Sequence, residues 1–354
     1  MSLSYANLQD RVEQFLQDTT NATYDTTELG YAIETELDRL SRYSPCFVDV
    51  IFQVESRTGA ETSGSTASLI TDTTESQFLS TDPTNEKVIH NITDDTWAVV
   101  LTYTSTSVMT LSADIMDDDE EYEIYNKRCR NKRQIYIGDM PQYLWVESVE
   151  YPIGTERNFF QISRDVIELD VYDDTIQDSD STLDPPNNVD VLVRFAMPHV
   201  LCQLTDLAGE LSASAVAAAT TIAIDGMGST EVIETGGLFN LENQRTTYIV
   251  VSDITTSANA ATVAFYPPLE AIGNDNDDIT FVKSTLLPNQ EDLLERMVIS
   301  RAVQSDMVRF AKSGAPLLRN YQLWINNNPL MNPVLIKQEL EALAEPRTSK
   351  ELPR

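Results

Sequence analysis

The sequence predicts an α+β protein: a helical frame built from both ends of the chain, with two small β-barrel or β-sandwich modules inserted into it. Three observations lead there. Apolar residues recur at helical spacing over residues 1–45 and again after Pro288. Two stretches, 63–126 and 214–283, switch to apolar residues alternating with polar ones between Asp/Asn/Ser/Thr turns. Both stretches place an acidic turn just ahead of their last strand, Asp117–Glu121 before Tyr122–Tyr125 and Asn274–Asp278 before Ile279–Val282, which suggests one plan used twice. The frame then comprises 1–62, 127–213 and 284–344, the modules 63–126 and 214–283, and residues 345–354 an extended tail.

From the N-terminus, Leu8, Val12, Phe15 and Leu16 mark a first helix that dies in the Thr/Asn-rich run 19–23. Asp25 stands three residues before Glu28, the spacing of a capping box, and Leu29, Ile33, Leu37 and Leu40 form the stripe of a second helix that Pro45 stops. Both stripes are narrow, so each helix needs a partner. Val48, Val50, Phe52 and Val54 then alternate as a half-buried strand. In the first module the strand candidates are 68–71, 87–91, 97–103, 108–111 and 122–125. Strand-like runs continue at 135–137, 144–149, 159–162, 166–171 and 189–195, interrupted by an acidic loop, 173–184, that ends in Pro185-Pro186. A helix is predicted near Pro198, with Val200, Leu201, Leu204, Leu207, Ala208 and Leu211 on one side. The second module holds strands at 221–225, 248–251, 261–265 and 279–282. Pro288 opens a long helix with Glu291, Asp292 and Glu295 in its first turns and Arg309 and Lys312 in its last, the charge order that the helix dipole favours. Tyr321, Trp324 and Ile325 belong to a further helix broken by Pro329 and Pro333, and Ile336, Leu340 and Leu343 mark the last.

Composition limits the function. The chain carries 24 Lys+Arg against 56 Asp+Glu, a net charge of −32, over 354 residues that are 42% apolar. That much apolar content supports buried cores, and no run approaches the ~20 apolar residues of a membrane span. The first eighteen residues have neither a basic nor an apolar signal region, so no secretory signal is expected. Wrapping of nucleic acid and binding to anionic membranes are disfavoured, because both draw affinity from Lys and Arg. The acidity has three readings: solubility, a saline habitat (seven lysines against seventeen arginines fits this), or a negative wall past which nucleic acid slides. Against it, Lys127, Arg128, Arg130, Lys132 and Arg133 crowd five cations into seven residues. They are candidates for local charge compensation with Asp117–Glu121, for a subunit interface, or for phosphate contact.

Catalytic patterns do not emerge. No GxxxxGK[ST], GxGxxG, HExxH or GxSxG occurs, and His90 and His199 read as structural. Cys46, Cys129 and Cys202 lie too far apart for a metal knuckle. The acidic turns lack the glycine and distal glutamate of an EF-hand, so no metal ligand, cofactor or catalytic residue is assigned.

The N-terminal pair, Leu8-Gln9-Asp10-Arg11-Val12 through Tyr24–Leu29 to Leu37-Asp38-Arg39-Leu40-Ser41-Arg42-Tyr43, resembles the opening of tailed-bacteriophage head–tail adaptor (connector) proteins. Leu144–Pro152 looks like the β segment that follows, and Ala302, Met307, Phe310, Ala311, Tyr321 and Trp324 resemble the closing helices. Thr221–Asp225, Phe239, Tyr248–Val251 and Tyr266–Leu269 are similar to β modules inserted in virion proteins. The resemblance implies a structural virion protein at the head–tail junction, assembled in the host cytoplasm. It would form a homo-oligomeric, dodecameric ring that docks on the portal protein and carries nozzle, stopper or fibre proteins. Genomic DNA would pass through the ring without specific binding, and no membrane is involved. Tyr321, Trp324 and the basic tail residues Arg347, Lys350 and Arg354 become interface candidates, the tail docking in a portal crevice. The alternatives are another tail component, or a β-rich protein that binds glycans or host surfaces.

Overall fold

The computed structural model describes residues 3–18, 20, 23–63, 68–172, 176, 189–313 and 328–344. They divide into two compact units. Unit 1 takes the described residues of Met1–Phe47, Pro141–Trp145 and Ala196–Arg354, and unit 2 those of Val48–Met140 and Val146–Phe195.

Unit 1 contains all the α-helices among the described residues. Ser4 and Asp25 open α1 (Tyr5–Leu16) and α2 (Thr26–Tyr43), each side chain accepting a backbone N–H, from Asn7 at 3.1 Å and Thr27 at 2.9 Å. Glu28 accepts a hydrogen bond from the Ser305 hydroxyl at 2.8 Å, which ties α2 to α3 (Pro288–Ser313). Asn332 caps α4 (Pro333–Leu343), whose first residue is the proline that position favours. The narrow stripes meet in one core: Leu8 of α1, Ile33 and Leu40 of α2, Val298 of α3 and Leu340 of α4 are fully buried together. Glu36, also buried, binds Arg39 at 3.3 Å and Arg301 at 3.0 Å.

The rest of unit 1 is a closed barrel of β14 (Ala208–Leu211), β15 (Thr221–Asp225), β20 (Ala261–Tyr266), β18 (Thr247–Val250), β17 (Leu238–Leu241) and β21 (Asp278–Phe281), every neighbour antiparallel. Closure leaves no sheet edge to cover. Phe239 lies at its centre, with ring centroids 5.4 Å from Tyr248, 5.5 Å from Phe265 and 5.6 Å from Phe281. A small hairpin of β16 (Val232–Ile233) and β19 (Ile254–Thr255) accompanies it.

Unit 2 is made of three antiparallel sheets. The largest orders β2 (Thr58–Ala60), β7 (Glu121–Tyr125), β4 (Val88–Asn91), β5 (Thr96–Ser105), β6 (Val108–Leu111) and β3 (Leu69–Thr71) around a core that includes Ile70, Phe78, Ile89, Val100 and Tyr122. A three-stranded sheet runs β11 (Phe159–Gln161), β12 (Val166–Leu169), β8 (Gln134–Tyr136). The third runs β1 (Cys46–Gln53), β13 (Asp190–Met197), β9 (Trp145–Glu150), β10 (Glu156–Arg157).

The expected helical frame is therefore corrected. Among the described residues there are twenty-one strands and four α-helices, and the helices come only from the two ends of the chain. The stretch between the two predicted modules is strand where it forms regular structure, its runs pairing with one another and with β1, except β14, which joins the barrel. The helix predicted after Pro198 is absent: 198–207 is irregular and Ala208–Leu211 is a barrel strand. Its apolar spacing has a different cause. Leu201 packs into the helical core while Leu204 and Leu211 pack into the barrel, so one segment serves two cores and its periodicity imitates a single helix face. The acidic loop 173–184 (Ile176 apart) and the helix around Tyr321 and Trp324 lie outside the described residues, as does the tail 345–354.

Candidate interaction surfaces

The basic run forms a turn between β7 and β8 of unit 2. Its cations are largely consumed there, by acids other than the expected Asp117–Glu121. Lys127 binds Glu86 at 2.9 Å and lies 5.2 Å from the centroid of Tyr136, and Glu86 pushes its ammonium pKa upward. Arg128, at a left-handed φ of 59°, binds Asp165 at 2.6 Å and approaches the same ring at 5.8 Å. Arg133 binds Glu168 at 2.9 Å. Among the described residues Arg130 and Lys132 form no ion pair, and Arg130 is exposed. Glu120 accepts instead from Asn91 at 2.7 Å and from the Asp117 amide at 2.6 Å, closing its own turn. Tyr321, Trp324, Arg347, Lys350 and Arg354 lie outside the described residues.

Both histidines have structural partners. In unit 1, His199 Nε2 is 2.7 Å from the Ser44 carbonyl and can only donate to it, so Nδ1 accepts from the Thr285 hydroxyl at 3.0 Å. Burial holds its pKa below the usual value, and the ring stays neutral. In unit 2, His90 stacks on Trp97 at 3.9 Å and faces Asp95 at 3.0 Å. Burial also raises the thiols, Cys129 to about 12, far from the range of a nucleophilic thiolate. No group of three His, Cys, Asp or Glu among the described residues is arranged to hold a metal ion.

A cleft of about 480 Å³ lies within unit 1. It is lined by Glu34, Leu37 and Asp38 of α2, by residues 232–237, which run from the β16 hairpin strand towards β17, and by residues 197–204. The lining is mainly apolar, with Ile33, Met197, Leu204 and Phe281 among its residues. Its charged side chains are acids, Glu34, Asp38 and Glu234, among neutral polar ones such as Ser41, Gln142 and Gln203. Burial raises the Glu234 carboxyl pKa, and the charges of Glu34 and Asp253 raise it further. Burial likewise raises the Tyr5 hydroxyl, again with Glu34 and Glu234 adding to the shift. Glu234 accepts from Gln203 at 2.9 Å, a neutral partner. Among the described residues no cation pairs with Glu34 or Glu234, whereas Asp38 is paired with Arg42 at 2.6 Å.

Sequence reasoning assigned none of these acids a role. A weak signal existed on α2, where Glu34 and Asp38 stand four apart, a like-charge spacing that costs an isolated helix a few tenths of a kcal/mol. Glu234 carried no signal, since only folding brings it into one cleft with α2. No helix among the described residues is long and apolar enough to cross a membrane. No protein-family model matches the chain, and no curated protein matches it.

Proposed function

We propose that this chain is a structural virion protein, a segment of an adaptor ring at the head–tail junction of a tailed phage, which docks on the portal, extends the DNA channel and carries tail components. The observation that carries the reading is one helical core drawn from distant parts of the chain: α1 and α2 pack with α3 and α4, and the regular structure described between α2 and α3 is β strand. The reading does not need a helical frame, only the short N-terminal pair and the closing helices. A chain that combines a helical core with β-rich structure suits a repeated subunit that meets unlike neighbours through unlike faces. The net charge of −32 supports it too, because a wall that attracted phosphates would hold the genome back during ejection. The expected experiment is imaging and mass measurement of the purified chain with and without its portal. A ring seated on the portal vertex is the expected result; a chain that stays monomeric and ignores the portal would overturn the proposal.

A second reading, glycan recognition by unit 2, has one observation in its favour. Trp97 is 38% exposed on the largest sheet, its ring backed by His90. Binding of the full chain to a glycan array, lost on Trp97→Ala, would favour it over the adaptor.

A further inference from the structure

Glu34 and Glu234 are both exposed, yet like charges that line one cleft still repel, a cost that folding alone does not require. They come from a helix and from the segment between β16 and β17, and no cation among the described residues relieves them. A positive group between them would remove the repulsion and gain attraction, modestly so because both residues are exposed. The cleft adds a second requirement, because its lining is mainly apolar. The occupant should therefore be cationic at its polar positions and apolar in its body. The volume, about 480 Å³, falls within the ~300–1,000 Å³ of sites that bury a drug-sized group, enough for a few residues of extended chain.

One segment of this polypeptide has that chemistry. Residues 346–354, Pro-Arg-Thr-Ser-Lys-Glu-Leu-Pro-Arg, carry three cations against one acid, with Leu352 and Pro353 between the last two cations. In a chain of charge −32 the other basic run, 127–133, is largely occupied by Glu86, Asp165 and Glu168. We infer that the cleft of unit 1 receives the basic segment 346–354 of a second copy of this chain, a cationic side chain sitting between Glu34 and Glu234 and Leu352 meeting the apolar lining. The choice of a second copy rests on the proposed ring, in which one face of a subunit meets a different face of the next. The cleft gives the tail a receptor inside the ring, in place of the portal crevice that the resemblance implies.

Cys202 makes the inference testable, because it is half-buried and lines the cleft. Leu352→Cys in the full chain supplies a tail thiol, and mild oxidation at alkaline pH reads its proximity to Cys202. The expected product is a ladder of covalently linked chains on a non-reducing gel. It should vanish with Cys202→Ser and fall about tenfold or more with Glu34→Lys plus Glu234→Lys, since the new lysines would repel the tail's cations. Arg347→Glu plus Lys350→Glu in the tail should restore linkage to the lysine-bearing cleft. A 202–352 link within one chain would overturn the second-copy assignment, and no link at all would overturn the site. The two proposals fail separately. A portal-bound ring without the link leaves the adaptor reading standing alone. Linked chains that never bind portal leave the cleft standing and remove the adaptor.

Discussion

Arg57 is the most committed side chain in unit 2. It is almost fully buried, and its guanidinium donates to Glu55 at 2.8 and 2.9 Å and to Asp82 at 2.7 and 2.9 Å, while Lys87 adds a 2.6 Å contact to Glu55. Burial alone would push the Glu55 carboxyl up; Lys87 and Arg57 outweigh it and hold the pKa down at about 2, against an ordinary 4.5. Removing the guanidinium leaves Asp82 buried without a cation and Glu55 with Lys87 alone, so Arg57→Ala should destabilise unit 2 by about 3–5 kcal/mol in urea denaturation. A loss below 1 kcal/mol would mean that water or a rearranged Lys87 takes over. The neighbouring Gly59 is constrained for a different reason. A methyl group there would lie 2.4 Å from Asp72 Oδ2 and 2.6 Å from the Tyr122 hydroxyl oxygen, two atoms that are hydrogen-bonded to each other at 2.7 Å. Gly59→Ala should cost about 1–3 kcal/mol, measured as a lower urea midpoint with an unchanged slope. Neither residue announces itself in the sequence. Arg57 meets Asp82 only after 25 residues of chain have folded back, and a single glycine at a strand position says nothing about what crosses it.

At the scale of elements, the barrel shows what local pattern can and cannot convey. Strands β15, β18, β20 and β21 were legible because their apolar residues alternate and acidic or Gly-containing turns separate them. β14 was not, because its four residues follow a segment whose leucines divide between two cores. The helices at the chain ends were legible from stripe and cap together. The fold class was not, since choosing between a helical frame and a β-rich body depends on which partner each middle strand finds, a long-range question. Closure of the barrel concentrates its packing on Phe239, which touches three aromatic rings and is fully buried. Phe239→Ala should cost about 3–5 kcal/mol, while Phe239→Leu should cost less because it keeps most of the volume. The ordering of the two variants in a denaturation series is the check. Equal losses would place the stabilising contacts elsewhere in the barrel.

For the whole molecule, the net charge of −32 and the individual ion pairs pull in opposite directions as conditions change, and their magnitudes decide the outcome. The exposed pairs, such as Arg42–Asp38 and Arg194–Asp49, are worth about 0–1 kcal/mol each and weaken in salt. Repulsion among the 32 excess charges also weakens, as the screening length falls from about 30 Å at 0.01 M to about 8 Å at 0.15 M. The buried Arg57 group is screened least, so repulsion dominates the response and salt should raise the melting temperature over that range. Acidification has the same first effect. Discharging surface carboxylates as the pH falls from 7 towards the isoelectric point near 4.2 relieves repulsion. Glu234 acts in the same sense: with its pKa raised in the folded state, its contribution is present at low pH and lost as the pH rises. Glu55 opposes both, because a lowered folded pKa gives stability that is present above about 4.5 and drains as the pH falls towards about 2. The melting temperature should therefore rise from pH 7 to a maximum between about 5 and 6 and fall steeply below about 4.5. Arg57→Ala should flatten the acid limb by removing one of the two cations that hold Glu55 ionised, and leave the neutral limb's slope in place. A wild-type melting temperature that fell steadily from pH 7 downward would mean that paired carboxylates, and not their mutual repulsion, govern the stability of this acidic chain.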